Sequence, residues 1–464
     1  MAFAAVQPLA GLPADPLQTA QIRPILAAAG EDQSPGSKDA LFGDDEELPA
    51  KTEGRQTPSS PTAGWRGYAQ GEAARATASP DHWSKLRARL ELTRSGRLGE
   101  GLKWKIGGRF DYDAAYDLRE FYPGDVRRDQ RFNFSLRENF LDVNADSWDF
   151  RLGRQHVVWG EMVGLFFADV VSARDLREFF LPEFDAMRIP QWAARAEYFR
   201  DDVHAELLWI PVPSYDRIGK PGAEFYPFPP PPPSGYAMVI ENEERPERKL
   251  SNTNYGLRLS MLRDGWDLSA FYYRSMDVAP TFYREVVSVP APAFVFRPRH
   301  DRILQAGGTL SKDLGSFVLK GEAVFTRGRR FNVTRLDDAD GVVPLNTIDY
   351  ALGLDFPLPE EARLNLQFFQ RVFVNYDNDV IPDKRESGAS VLLSGKLARN
   401  LEAQVLLIHS LNRTDWMFRP KLTWGFERNW RLVFGMDVFN GPATGFFGRF
   451  SNKDRVYTEV RYDF

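Results

Sequence analysis

The chain has 464 residues, no cysteine, and a formal net charge of -5, with 43% hydrophobic, 13% aromatic and 27% charged residues. These figures exclude disulfides and cysteine-based metal or redox centres, and the mild acidity gives no support to nucleic-acid binding. No run approaches the roughly 18–20 apolar residues of a membrane-spanning helix, yet the chain carries 35 Phe, 16 Tyr and 11 Trp.

Residues 1–63 form a segment of their own. Ala, Pro, Gly, Ser and acids dominate it, including Asp44-Asp45-Glu46-Glu47, with four basic and nine acidic residues. It lacks the basic start of a secretory signal and reads as a mature or trimmed N-terminus. A disordered acidic segment is expected, with one short helix near Leu17–Ala29. A solvated tail is favoured over a periplasmic tether or a lumen plug.

From residue 64 to 464 the pattern is that of strands. Ser84, Leu86, Ala88, Leu90 and Leu92 alternate with Lys85, Arg87, Arg89 and Glu91. Leu102, Trp104, Ile106, Gly108, Phe110 and Tyr112 alternate with Lys103, Lys105, Arg109, Asp111 and Asp113. One face is too charged for a sandwich core and the other too apolar for water, which places the apolar face against lipid. Short connections, such as those at 144–146, 200–202, 263–265, 312–315, 398–400 and 427–429, alternate with long ones at 114–130, 211–252, 277–301, 328–345, 376–386 and 440–454. That sorting predicts an all-β, transmembrane antiparallel barrel with periplasmic turns and extracellular loops. It would have about eighteen strands, or sixteen without the weak first one. The last strand alternates Val456, Thr458, Val460, Tyr462 and the terminal Phe464, and so resembles the recognition signal of bacterial outer-membrane barrels.

One stretch breaks the rhythm. Trp148-Phe150-Leu152 opens a strand and Trp192-Ala194-Ala196-Tyr198 closes another. Between them, residues 159–190 are too apolar to hang in water and predict a folded, partly helical inlet. Ser172–Asp175 reads as a helix start, with Leu176, Phe179 and Phe180 at helical spacing. The inlet is expected to constrict the barrel or to form an apolar vestibule. The residues expected to gate or to contact cargo are Trp159, Glu161, Arg174, Asp175, Arg177, Phe179 and Phe180. The inward basic residues Lys85, Arg87, Arg89, Lys103, Lys105, Arg109, Arg131 and Arg137 form a candidate anion track. Neutralisation by wall carboxylates is the competing reading, and the favoured one.

Gly153-Arg154-Gln155, Trp159-Gly160-Glu161 and Asp175-Leu176-Arg177 resemble a proteobacterial outer-membrane β-barrel family that is still catalogued as a domain of unknown function. The resemblance covers roughly Asn139–Pro213. It implies an outer-membrane barrel, sometimes linked with export or lipid-like cargo through a periplasmic partner protein and an inner-membrane permease.

The long loop at 211–252 carries Pro229–Pro233, a stiff polyproline run suited to a spacer or to docking. Asp81-His82 and His300-Asp301 are the acid–histidine pairs nearest a hydrolase site. Neighbours on a strand face opposite sides, and no nucleophile motif accompanies them. No cofactor or metal is expected. The sequence therefore predicts an outer-membrane channel for an anionic or amphipathic compound, in contact with outer-membrane lipid and lipopolysaccharide. A non-transporting scaffold or surface-display barrel is the alternative, and an outer-membrane hydrolase trails both.

Overall fold

The computed structural model describes residues 64–464, apart from Arg119, Glu161, 163–166 and 289–290. The acidic segment and its expected helix, Glu161, and the inlet residues Val163, Leu165 and Phe166 lie outside the described residues.

Period-two alternation is realised as strands. The wall begins with β1 (Arg66–Ala76), β2 (Trp83–Arg97) and β3 (Leu102–Asp113), and two short helices, α1 (Ala115–Leu118) and α2 (Gly124–Gln130), fill the following loop. β4 (Phe132–Leu136) and β5 (Asn139–Ala145) both pair with β3 and together make one interrupted wall strand. β6 (Trp148–Gln155) precedes the inlet, which contains β7 (Ala173–Arg174), α3 (Phe184–Met187) and β8 (Arg188–Ile189). The wall resumes with β9 (Gln191–Arg200) and β10 (Val203–Val212); β11 (Ala237–Ile240) lies in the proline-rich loop. β12 (Asn254–Arg263) and β13 (Trp266–Met276) are wall strands, whereas β14 (Thr281–Val287) and β15 (Ala293–Arg299) join β11 in a separate three-stranded sheet. The remaining wall strands are β16 (Arg302–Asp313), β17 (Val318–Asn332), β18 (Val342–Leu358), β19 (Ala362–Phe373), β20 (Arg385–Ala398), β21 (Leu401–Ser410), β22 (Trp416–Glu427), β23 (Trp430–Asn440) and β24 (Arg455–Asp463).

Each wall strand pairs antiparallel with its neighbours. β24 returns to β1 from Tyr68↔Asp463 to Ala76↔Arg455, so the ring closes at 18 strands. Gly67 and Phe464 exchange both backbone hydrogen bonds at 2.9 Å, which carries the seam to the last residue. Closure leaves the wall with no unpaired edge, the condition for a β-structure in hydrocarbon. At the short turns Asp146, Asp201, Asp264, Glu360 and Glu361 take positive φ, a conformation that Asp tolerates better than most residues because its short side chain bonds locally.

The two faces separate as the alternation requires. Leu90, Phe110, Leu141, Leu152, Leu207, Leu352 and Phe434 are exposed outward, while Arg89, Asp111, Asp142, Arg151, Glu206, Asp349 and Arg371 are buried inward. Inward charges pair across strands, as in Arg151–Asp142 at 2.5 Å and Arg455–Asp437 at 2.7 Å. Near the short-turn end Trp148 packs on Tyr198 and Trp430 on Tyr462, at 4.9 and 4.8 Å between rings. Such pairs belong to an aromatic girdle.

The inlet's helix is not where the sequence pattern put it. Ala173–Arg174 pairs with Arg188–Ile189 as a two-stranded ribbon, and the helical turn is Phe184–Met187. Asp175 gives its carboxylate to Arg177 instead of capping a helix, Leu176 N–H donates to Arg217 O, and Phe179 has φ 56°. A left-handed residue ends helical propagation.

Leu352→Arg, on the lipid face of β18, should destabilise the barrel by about 2–4 kcal/mol, read as a shift of the urea unfolding midpoint in lipid vesicles.

Candidate functional site: the inlet and its sockets

The inlet is steered inward by the residues at the end of β6. Gly153, at φ 131°, lies against the Asn139 carbonyl and Phe140; a Cβ there would meet Asn139 O at 2.3 Å. Gln155 is fully buried and donates through Nε2 to Arg151 O (3.2 Å) and Ala193 O (3.1 Å). Trp159, also fully buried, donates Nε1–H to Glu206 on β10 (3.1 Å) and packs against Phe271 and Tyr273 of β13. Glu322 of β17 then accepts two inlet amides, Met162 N–H at 2.7 Å and Ala168 N–H at 3.1 Å. β17 stands diametrically across the ring from β2, so the inlet crosses the lumen.

The rest of the inlet ties to the opposite wall. Glu178 lies between Lys85 and Arg87 of β2 and Arg455 of β24. Three wall guanidinium groups donate to inlet carbonyls: Arg109 to Ala186 (2.9 Å), Arg137 to Arg188 (2.9 Å) and Asp185 (2.6 Å), and Arg419 to Leu181 (2.8 Å). Arg174 is buried and donates to Asp169 O (2.9 Å), while its backbone N–H donates to Asp216 (2.7 Å). Arg177 grips Asp175 through two nitrogens (2.8 and 2.6 Å) and reaches Asp129 O in the 114–131 loop. Burial opposes ionisation of Asp175, but the Arg177 and Arg217 guanidinium groups outweigh it and hold the carboxyl well below the usual range. Phe179 and Phe180 pack among Phe439, Phe446, Phe447 and Phe450.

Trp159, Arg174, Asp175, Arg177, Phe179 and Phe180 therefore share one body, held by polar bonds at its ends and by rings in its middle. Of the basic set, Lys85 and Arg87 share Glu72 and Glu178. Arg89 meets Asp111 (2.5 Å), Lys105 meets Glu138 (2.8 Å), and Arg109 and Arg137 both approach Glu91. Lys103 stands opposite Asp142 in the β3–β5 register. Arg131 leaves the set: it ends α2 and pairs with Asp117 (3.1 Å) outside the wall. Glu206 and Glu322 were not singled out by the sequence. Glu322 does read as an inward acid between Gly321 and Ala323, but nothing local names its partners.

Glu197, His204 and Glu206 bring ligand atoms within 4.8 Å of one another. Glu206 accepts from Trp159 (3.1 Å), and Glu197 meets Arg195 and His204 (3.0 Å each). Through Glu206 the cluster holds the inlet to β10.

Outside the wall the long loops interlock. His82 joins Glu224 of the 213–253 loop, which also accepts from Tyr122 (2.8 Å) and meets Lys453 (3.3 Å), so one carboxylate ties four loops. His300 is held by Asp277 O (2.8 Å) and Glu243 (2.7 Å). Each histidine takes its carboxylate partner from a distant stretch of chain, Glu224 for His82 and Glu243 for His300. Glu241 and Glu244 pair with Arg297 and Arg299 of β15, and Phe225 and Tyr226 are buried, so the proline-rich loop folds down over the mouth.

The sequence profile of a family described as "Protein of unknown function (DUF1302)" matches residues 44–464. Comparison with curated proteins finds no match. Among solved structures, the chain is similar to the crystal structure of OccAB4 from Acinetobacter baumannii, at 9% identity and TM-score 0.51, over 86% of this chain and 97% of that one. It is similar also to OccK8 (OprE) from Pseudomonas aeruginosa, at 9% identity and TM-score 0.50, over the same shares. At such identity the likeness is one of fold: a porin-like barrel.

Two outcomes test the site. Glu322→Ala leaves two inlet amides without a partner, at a cost of about 1–3 kcal/mol each. In a chain free of native cysteine, an Ala168→Cys probe should then react with a thiol reagent about tenfold faster or more. The second concerns pH. His82 Nδ1 faces Pro80 O and Nε2 faces Glu224, both acceptors, so both nitrogens must donate. Burial opposes that cation, but hydrogen bonds to Glu224 and Pro80 outweigh it and raise the His82 pKa. A raised pKa gives a stabilisation fully present below about pH 6.5 that is lost as pH rises through the raised value. Amide exchange around residues 77–82 and Glu224 should therefore accelerate beyond its intrinsic trend as pH rises above about 6.5, and His82→Gln should abolish that step.

Proposed function

We propose that this chain, which belongs to the DUF1302 family of proteins of unknown function, is an outer-membrane channel for an anionic or amphipathic compound, closed at rest by its own inlet. The observation that carries this reading is the span of the inlet from Glu322 on β17 to Lys85 and Arg87 on β2, across the lumen of a porin-like barrel. A barrel built only to display loops needs no such crossing segment. The wall beneath the inlet also suits anions. Lys85, Arg87, Arg89, Arg419, Lys421, Arg455 and Arg461 line one cleft on the periplasmic side of the inlet, against Glu72, Glu183 and Glu459.

Much of that basic wall is occupied with the inlet. Glu178 neutralises Lys85 and Arg87, and inlet carbonyls take up Arg109, Arg137 and Arg419. Movement of the inlet would return those cations to the lumen, so opening and anion selectivity would arrive together. The alternative of a surface-display scaffold draws support from the β11–β15–β14 sheet, which is separate from the wall sheet in its strand pairing.

Planar-bilayer conductance distinguishes these readings. The full chain should be silent or nearly so, and a variant lacking residues 160–190 should conduct with preference for anions. A full chain already open and unchanged by the deletion would make the protein a general porin. Silence from both would favour the scaffold.

A further inference from the structure

We infer that the outer face of the inlet carries a binding pocket for a small, neutral, apolar molecule, alkyl or aryl, entering from the extracellular side. The pocket has a cavity volume of about 80 Å³, opens on one side, and is walled by the rings of Phe179, Phe180, Phe225, Phe282, Phe446 and Phe450. Four separate segments supply them: the inlet, the proline-rich loop, β14 and the loop before β24. A lining dominated by aromatic rings, with few polar groups, is that of small-molecule sites.

Three features mark the pocket as built. The first is its frame. Asp415 is buried and accepts the backbone N–H groups of Phe446 (2.6 Å), Phe447 (3.0 Å) and Gly448 (2.8 Å), which fixes the turn presenting Phe446 and Phe450. The second is strain in its floor. Phe179 has φ 56°, a region costly for a bulky residue, yet its ring reaches Phe446 at 5.1 Å and Phe450 at 4.9 Å. Strain of this kind concentrates at ligand clamps and switches. The third is polarity. Two charged residues touch the pocket, and both are engaged: Asp216 accepts Arg174 N–H (2.7 Å), and Arg449 donates to Gly445 O (2.9 Å). Burial raises Asp216 to about 6 and lowers Arg449 to about 10, so the surroundings penalise charge of either sign. A charged ligand would lose its hydration among these rings.

The inference rests on the channel reading only for its purpose: it names the part of the cargo or effector that would meet the inlet first. Its geometry stands without that reading. Phe179 and Phe180 lie in the segment that also holds Arg177 and Glu178, so an occupant would press on the gate itself.

The test uses the full chain in lipid nanodiscs and a photoreactive decyl diazirine, with labelled residues read by mass spectrometry. Lipid-facing residues will label without saturation. The pocket predicts a second, saturable class on the segments of Phe179, Phe225 and Phe450, displaced by decan-1-ol and by naphthalene but at least about tenfold less well by decanoate. Ala279 lines the pocket, and Ala279→Trp should fill it and remove the saturable class while the barrel stays folded by heat-modifiable mobility. Labelling that never saturates, or that survives Ala279→Trp unchanged, overturns the site; equal displacement by decanoate overturns the neutral class. A protein that conducts after inlet deletion but shows no saturable labelling overturns this inference alone. Saturable labelling in a protein whose deletion variant stays silent supports the site and contradicts the channel.

Discussion

An irregular chain segment can sit inside a barrel only if its backbone groups find partners there, and that requirement organises this molecule. Among its described residues the inlet has one helical turn and one two-residue ribbon, so most of their N–H and C=O groups lack partners of their own making. The wall supplies them by charge type. Carboxylates take amides, as Glu322 does for Met162 and Ala168, and guanidinium groups take carbonyls, as Arg109, Arg137 and Arg419 do. Hydrogen bonds to charged groups are the stronger class, roughly 1.5–3 kcal/mol each.

This division explains two things at once. Part of the basic surface inside the barrel, Arg109, Arg137 and Arg419, serves as carbonyl sockets for the inlet, while Lys85, Arg87, Arg89 and Lys105 pair with carboxylates. The short motifs near the inlet are its hinges and pins: Gly153 and Gln155 set the departure from β6, Trp159 docks on Glu206, and Asp175 with Arg177 ties the far end to the loops above. Those motifs secure the posture of the inlet between the basic cleft below it and the ring-lined pocket above.

The wall was legible in the sequence because its physics is local. Alternation at Leu86–Leu92 and Leu102–Tyr112 states which face meets lipid, and the sorting of short and long connections states which end is which. The existence and limits of the inlet were legible for the same reason, as an interruption. Its internal structure was not: the helix expected after Ser172 is undone by tertiary partners, Arg217 O taking the Leu176 amide and Arg177 taking Asp175. The sockets were least legible of all. Glu322 lies 160 residues from Met162 and 154 from Ala168, and no local pattern carries a pairing of that range. The loop cap shares this property, since His82 finds its acid 142 residues away at Glu224 and passes over Asp81.

The central claim is that the inlet is a folded, wall-anchored body across the lumen. Residue-resolved hydrogen exchange on the full chain in nanodiscs tests it most directly. The Met162, Ala168 and Arg174 amides should be protected to a degree comparable with the wall strands. Exchange of those three amides at the rates of an open loop, beside a protected wall, would contradict it.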